Sequence, residues 1–217
     1  DSLSHQIKKV QAIEALGAEV LIASADVANL QKMQQVIMIA EERFGQLNGV
    51  IHAAGIMEEN STVKEISQTD CERQFQSKVH GTLVLEKVLQ NRSLDFCLLL
   101  SHLSSVLGGL GFVAYSAANI FMDAFVYRHN QINPTQWFSI NWDGWQSEIN
   151  PTLIGSWGAS LADLAILPEE GINAFQRIFS SPREINQLVV STSDLQARID
   201  QLKRDSQKPE KSNSLSS

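Results

Sequence analysis

One stretch constrains this chain more than any other: an apolar run, a glycine-rich break, and then a helix. Phe96-Cys-Leu-Leu-Leu100 is apolar throughout and short enough to be a strand buried on both faces, as in a parallel sheet. Gly108, Gly109 and Gly111 then interrupt regular structure. Ala118, Phe121, Met122 and Phe125 follow at three- and four-residue spacing, which predicts a helix with one apolar face. Tyr115 and Asn119 lie four apart at the start of that helix, so their side chains leave it on the same side. A phenol and an amide at the C-terminal edge of a buried sheet suit the polarisation of a carbonyl.

Composition narrows the class. With 217 residues, 43% of them hydrophobic, the chain can bury the core of one domain. A net charge of −7 argues against nucleic acid or an anionic membrane surface as the main partner. No apolar run approaches the roughly 20 residues that span a bilayer. Cys71 and Cys97, with no signal peptide, fit a reducing cytoplasm, while a single disulfide stays open. His5, His52, His80, His102 and His129 are scattered without ligand spacing, so no metal site is expected.

In chain order, Asp1-Ser-Leu-Ser4 reads as the cap of a helix with Ile7, Val10, Ile13 and Leu16 on one face and Gly17 as its stop. Glu19 to Ser24 reads as a strand, and Asp26 at its exit reads as the cap of the next helix. That helix spans Leu30 to Phe44, with Met33, Val36, Ile37 and Ala40 inward and Gly45 as its stop. Gly49-Val-Ile-His-Ala-Ala-Gly55 is a strand whose small-residue exit lets a flat ring or ribose approach the backbone, or packs tightly against a helix. His52 in it reads more simply as a packed histidine than a catalytic one. A long helix covers Asp70 to Leu89 and carries Lys78, whose ordinary reading is a solvated charge. Trp137 to Trp142 is a further buried strand, Pro168 to Phe179 a helix, and Gln187 to Ser191 a last strand. Ser147 to Leu167 has little regular pattern, and from Asp200 the chain is polar without an apolar face. The expected division is therefore a catalytic domain over residues 1–199 and a disordered linker over 200–217.

Four landmarks then carry a resemblance. They are Ile51-His-Ala-Ala-Gly55, Gln74-Phe-Gln-Ser-Lys78-Val-His-Gly-Thr-Leu83, Tyr115-Ser-Ala-Ala-Asn119 and Ser139-Ile-Asn-Trp142-Asp-Gly-Trp145. In this order they resemble the ketoreductase domains of modular polyketide synthases, members of the short-chain dehydrogenase/reductase superfamily. The resemblance implies an α/β fold with a Rossmann-like doubly wound parallel sheet. It implies reduction of a β-ketoacyl thioester on an acyl carrier protein by NADPH, within a cytoplasmic synthase of several domains. Tyr115 would donate the proton, Lys78 would lower the tyrosine's pKa, and Asn119 would hold the lysine or a relay water. Asp26 and Val27 would meet the adenine, and His52, Ala53, Ala54 and Gly55 would line the cofactor beside Lys78 and Tyr115. Residues 147–167 would be a mobile lid over the substrate. Met57-Glu58-Glu59 falls where many relatives carry Leu-Asp-Asp, and Leu107 where others carry tryptophan, so the pattern leans to the Leu-Asp-Asp stereochemical type.

Two departures matter. No Gly-x-Gly-x-x-Gly turn follows a first strand, so the phosphate-binding βαβ segment is missing and the chain reads as a synthase fragment, inactive alone. The strand over Glu19 to Ser24 would then have nothing to pair with. The family also places a serine 24 residues after the lysine and 13 before the tyrosine, and both counts fall on His102. A neutral imidazole could replace the hydroxyl as a donor. Alternatively, the domain is a non-reducing structural or carrier-docking remnant. A free-standing reductase of small ketones is disfavoured by the Tyr-x-x-x-Asn order and the polar terminus.

Overall fold

The computed structural model describes residues 2–56, 63–109, 111–146, 164–180 and 185–206. Its centre is the predicted apolar run, which forms a strand over Phe96–His102 (β2). Further strands are Gly49–His52 (β1), Trp137–Trp142 (β3) and Gln187–Val190 (β4). All pair in parallel, in the order β1-β2-β3-β4. Helices cover both faces. On one side lie Leu30–Phe44 (α2), Gly81–Leu89 (α4) and Val113–Ile132 (α6); on the other lies Pro168–Phe179 (α7). Ser2–Ala15 (α1), Gln68–Phe75 (α3), Ser104–Leu107 (α5) and Leu195–Ser206 (α8) complete the described elements.

Alternation along β2 divides the core. Cys97 and Leu99 pack with Leu85, Val88, Met122 and Val126 under α4 and α6. Leu98 faces the other way, against Ile140, Trp142 and Phe175. Leu98 and Leu99 are wholly buried, so truncating either to alanine costs about 2–5 kcal/mol. Cys71 and Cys97 are both free thiols, and burial raises the Cys97 pKa.

Several predicted elements are corrected. Residues 18–24 form no strand: Leu21 and Ile22 are exposed, and β1 is the edge of the sheet among the described residues. A parallel strand exists only through a neighbour's ladder, and none is offered there. Asp26 does not cap α2. Its Oδ1 accepts from Ala28 N at 2.9 Å, while Asn29 caps the helix through Lys32 N at 3.0 Å. The single helix expected over residues 70–89 is two helices joined by a π-helical turn at Gln76–His80. The polar stretch expected to be disordered from Asp200 is helical to Ser206, because Leu195, Ile199 and Leu202 share one face of α8. Asp194 Oδ1 caps that helix, accepting from Ala197 N at 2.8 Å. Met57-Glu58-Glu59, residues 147–163 of the expected lid and residues 207–217 lie outside the described residues. No helix among those described is long and apolar enough to cross a membrane.

Candidate functional site

The C-terminal ends of β1, β2 and β3 open onto one edge of the sheet, and Gly55, Lys78, His102 and Tyr115 lie near one another there. β2 ends at His102, and the turn after α5 leads through glycines of positive φ, Gly108 and Gly109, to α6. L-residues seldom adopt that backbone, and its use here delivers Phe112 and Tyr115 to the strand ends. Tyr115 packs edge-on against the His102 ring, with centroids 5.2 Å apart, and Phe112 lies 6.4 Å from the same imidazole.

Lys78 reaches this edge from the π-helical turn. Such turns recur at functional sites because the wider coil redirects side chains. Here Ser77 and Lys78 are both buried, and Thr82 Oγ1 donates to Lys78 O at 2.5 Å. Lys78 Nζ donates to Leu100 O at 2.9 Å and stands 5.5 Å from the centroid of the Tyr115 ring. That separation is within cation–π range. Burial lowers the lysine pKa to about 8, with the Asp123 carboxylate opposing the shift. Burial raises the phenol pKa of Tyr115, and the Asn119 amide works the other way. On balance the phenol pKa is raised by burial, where the resemblance implied a lowering through Lys78.

Asn119 is wholly buried, and its Nδ2 donates to the backbone carbonyl of Tyr115 at 2.8 Å. Its Oδ1 is buried and makes no hydrogen bond to Lys78 or to any other described residue. The sequence did not single out what lies behind it. Asp123, two helical turns beyond Tyr115, accepts from Asn141 Nδ2 at 2.7 Å. Asn141 also reaches Ser101 Oγ at 3.0 Å, and Gln187 Nε2 donates to Asn141 Oδ1 at 2.9 Å. The eight-residue step from Tyr115 to Asp123 was the one available signal. Ser101 is thus bound into a buried network and is not a substitute for the missing serine.

His102 has a defined tautomer. Ser104 N donates to its Nδ1 at 3.0 Å, so the neutral ring carries its proton on Nε2. That Nε2 is buried without a partner among the described residues. Burial, reinforced by Lys78, pushes the His102 pKa down to about 4, with Asp143 opposing. At neutral pH the site therefore holds an uncharged, unused N–H donor beside the phenol.

His52 is also buried and its pKa is pushed down to about 4, first by burial and then by Lys78. Ala53, Ala54 and Gly55 are exposed beyond the end of β1. A Cβ on Gly55 would come within 3.2 Å of Lys78 Cε, so the glycine keeps the approach to the lysine open. Val27 is half-buried and packs on the α2–α4 core, while Asp26 is exposed. These surroundings fit the flat end of a nicotinamide cofactor: small residues at a parallel strand end beside a lysine with ammonium hydrogens to spare. Among the described residues no cluster of His, Cys, Asp or Glu could hold a metal ion.

Known proteins share both sequence and fold with this chain. A family model described as KR domain matches residues 2–147. Polyketide synthase PksM of Bacillus subtilis is 31% identical over 192 residues, which cover 85% of this chain and 4% of that protein. A phthioceranic/hydroxyphthioceranic acid synthase of Mycobacterium bovis is 32% identical over 184 residues, 80% of this chain and 8% of that protein. The chain therefore spans a small fraction of the length of these relatives. Among solved structures, an N-terminal ketoreductase from the macrolactin assembly line superposes with TM-score 0.75 at 31% identity, over 91% of this chain and 38% of that one. A ketoreductase domain from the bacillaene assembly line gives TM-score 0.75 at 27% identity, over 91% and 48%.

Proposed function

We infer, because this chain belongs to the KR domain family of polyketide synthases, that it supplies the proton-donating half of a β-ketoacyl reductase. The reading is that a cytoplasmic synthase polypeptide, with its neighbouring domains, presents a β-ketoacyl thioester on an acyl carrier protein and releases the β-hydroxyacyl form. The observation that carries it is the convergence at one sheet edge of Tyr115, Lys78 and the unpartnered Nε2 of His102. When bound, NADPH supplies the hydride that reaches the keto carbon. Tyr115 gives its phenolic proton to the carbonyl oxygen, so that C=O becomes CH–OH and a phenolate remains. The Lys78 ammonium, near the ring, stabilises that phenolate. His102 Nε2–H donates to the carbonyl oxygen in place of a serine hydroxyl, in a site where such a donor needs no reorganisation. Asn119 positions the tyrosine through its backbone carbonyl. Ala53, Ala54, Gly55 and His52 would flank the nicotinamide end of the cofactor, and Asp26 and Val27 would meet its adenine.

The test is NADPH oxidation by the full-length synthase polypeptide on a β-ketoacyl thioester, with single-turnover rates for three proteins. Tyr115→Phe should abolish turnover while cofactor binding persists, since only the donor hydroxyl is lost. His102→Ser should be equal to or slower than the natural protein if imidazole is a competent donor. A gain of ~10²–10³ would instead show an impaired natural site, because one oxyanion donor is worth that much. His102 at the serine position also favours a second reading, a domain that docks the carrier without reducing its cargo. That reading stands if all three proteins bind cofactor and none turns over.

A further inference from the structure

A cavity of about 370 Å³ opens beside His102, at the ends of β2 and β3. It lies within the range of small-molecule sites. Its walls are mainly apolar: Leu103, Leu107 and Phe112 come from α5 and the turns around it, and Leu164 and Leu202 complete the apolar lining. Leu202 belongs to α8, which is held over the site by an ion pair. Arg198 reaches both oxygens of the buried Asp143, at 2.5 and 3.2 Å, and Ser191 Oγ at 3.1 Å. The charged groups in the lining are thus committed to each other. Two buried polar atoms of lining residues have no partner among the described residues, His102 Nε2 and Ser104 Oγ.

An occupant of such a cavity is apolar along its length and carries oxygen at the His102 end. Of the two substituents on a β-keto carbon, the thioester side bears a polar carbonyl and the carrier arm, which would find few partners here. The alkyl side fits. We propose that this cavity holds the aliphatic acyl chain beyond the keto carbon, and that Leu202 on α8 sets the chain length accepted. This rests on the ketoreductase reading above and adds a specificity-determining helix to it. Arg198 on α8 pairs with Asp143 at the end of β3, which ties the helix to the site.

The experiment uses the full-length synthase polypeptide and simple β-ketoacyl thioesters of four, six, eight and ten carbons. kcat/KM should rise roughly fourfold per methylene until the cavity is full, the gain expected for burying each CH₂. Leu202→Trp fills the cavity and should lower the eight-carbon to four-carbon ratio by at least roughly sixteenfold, two methylenes' worth. Leu202→Ala enlarges it and should move the optimum to longer chains; this variant decides the matter if the tryptophan protein does not fold. Rates independent of chain length, or ratios unchanged in the folded variants, overturn the proposal while ketoreduction stands. Failure to reduce any of the thioesters overturns the ketoreductase reading and this proposal with it.

Discussion

The state of His102 can be tested through stability. Its pKa is about 4 in the folded chain against an ordinary 6.5. As pH falls below 6.5 the unfolded chain takes up a proton that the folded chain refuses, so stability is lost progressively until about pH 4. Between pH 7 and pH 5 those two values give a loss of roughly 2 kcal/mol from this residue. His52 has the same shift and adds a similar loss. The variant His102→Gln cannot titrate but keeps an amide N–H donor and an oxygen to accept from Ser104 N. Urea unfolding followed by tryptophan fluorescence, with Trp137 and Trp142 both buried, should show the natural chain losing about 2 kcal/mol more than the variant over that interval. The Lys78 shift, from 10.5 to about 8, lies above this window and leaves the difference unchanged. If the two proteins lose stability equally to within ~0.5 kcal/mol, His102 is not held neutral by burial. The unused donor at Nε2 would then lose its physical basis.

Removing the anchor of α8 gives another measurable loss. Arg198→Ala leaves Asp143 buried with only its contacts from Thr192, and should cost about 3 kcal/mol in urea unfolding. A loss below ~1 kcal/mol would mean that the pair contributes no more than a surface bridge. Calorimetric titration of the 217-residue chain alone with NADPH should give no micromolar binding, since the sequence holds no Gly-x-Gly-x-x-Gly turn to seat the pyrophosphate. Micromolar affinity would show that the residues around Gly55 and Lys78 suffice.

What was legible in the sequence was what neighbouring residues determine. The apolar run at Phe96 gave β2, and the four-residue step placed Tyr115 and Asn119 on one side of α6, whereas the cap of α2 was read one turn too early, at Asp26 instead of Asn29. Elements defined by distant partners were not legible. Residues 19–24 have strand composition, but a strand exists only beside another. The helix α8 was hidden by its polar surface, and the ion pair that holds it joins residues 55 apart. The π-helical turn has no local signature in Gln76–His80, although it is what turns Lys78 inward.

The same distinction governs the chemistry. The residue types at the site follow from motif spacing, whereas their protonation follows from burial and neighbours. The expectation that Lys78 would lower the phenol pKa considered charge and ignored desolvation. Tyr115 instead has a raised pKa and Lys78 one near 8, so below that pH the phenol keeps its proton and the lysine its charge. His102, with a pKa near 4, is neutral over most of the same range. Between roughly pH 5 and 8, then, the edge of the sheet presents a protonated phenol, a cation behind it and a neutral N–H donor beside it. On the proposed reading, that combination suits giving a proton to an oxygen that is gaining negative charge, as the reductive direction requires. In the oxidative direction the phenol would have to begin as phenolate, and burial makes that form costly.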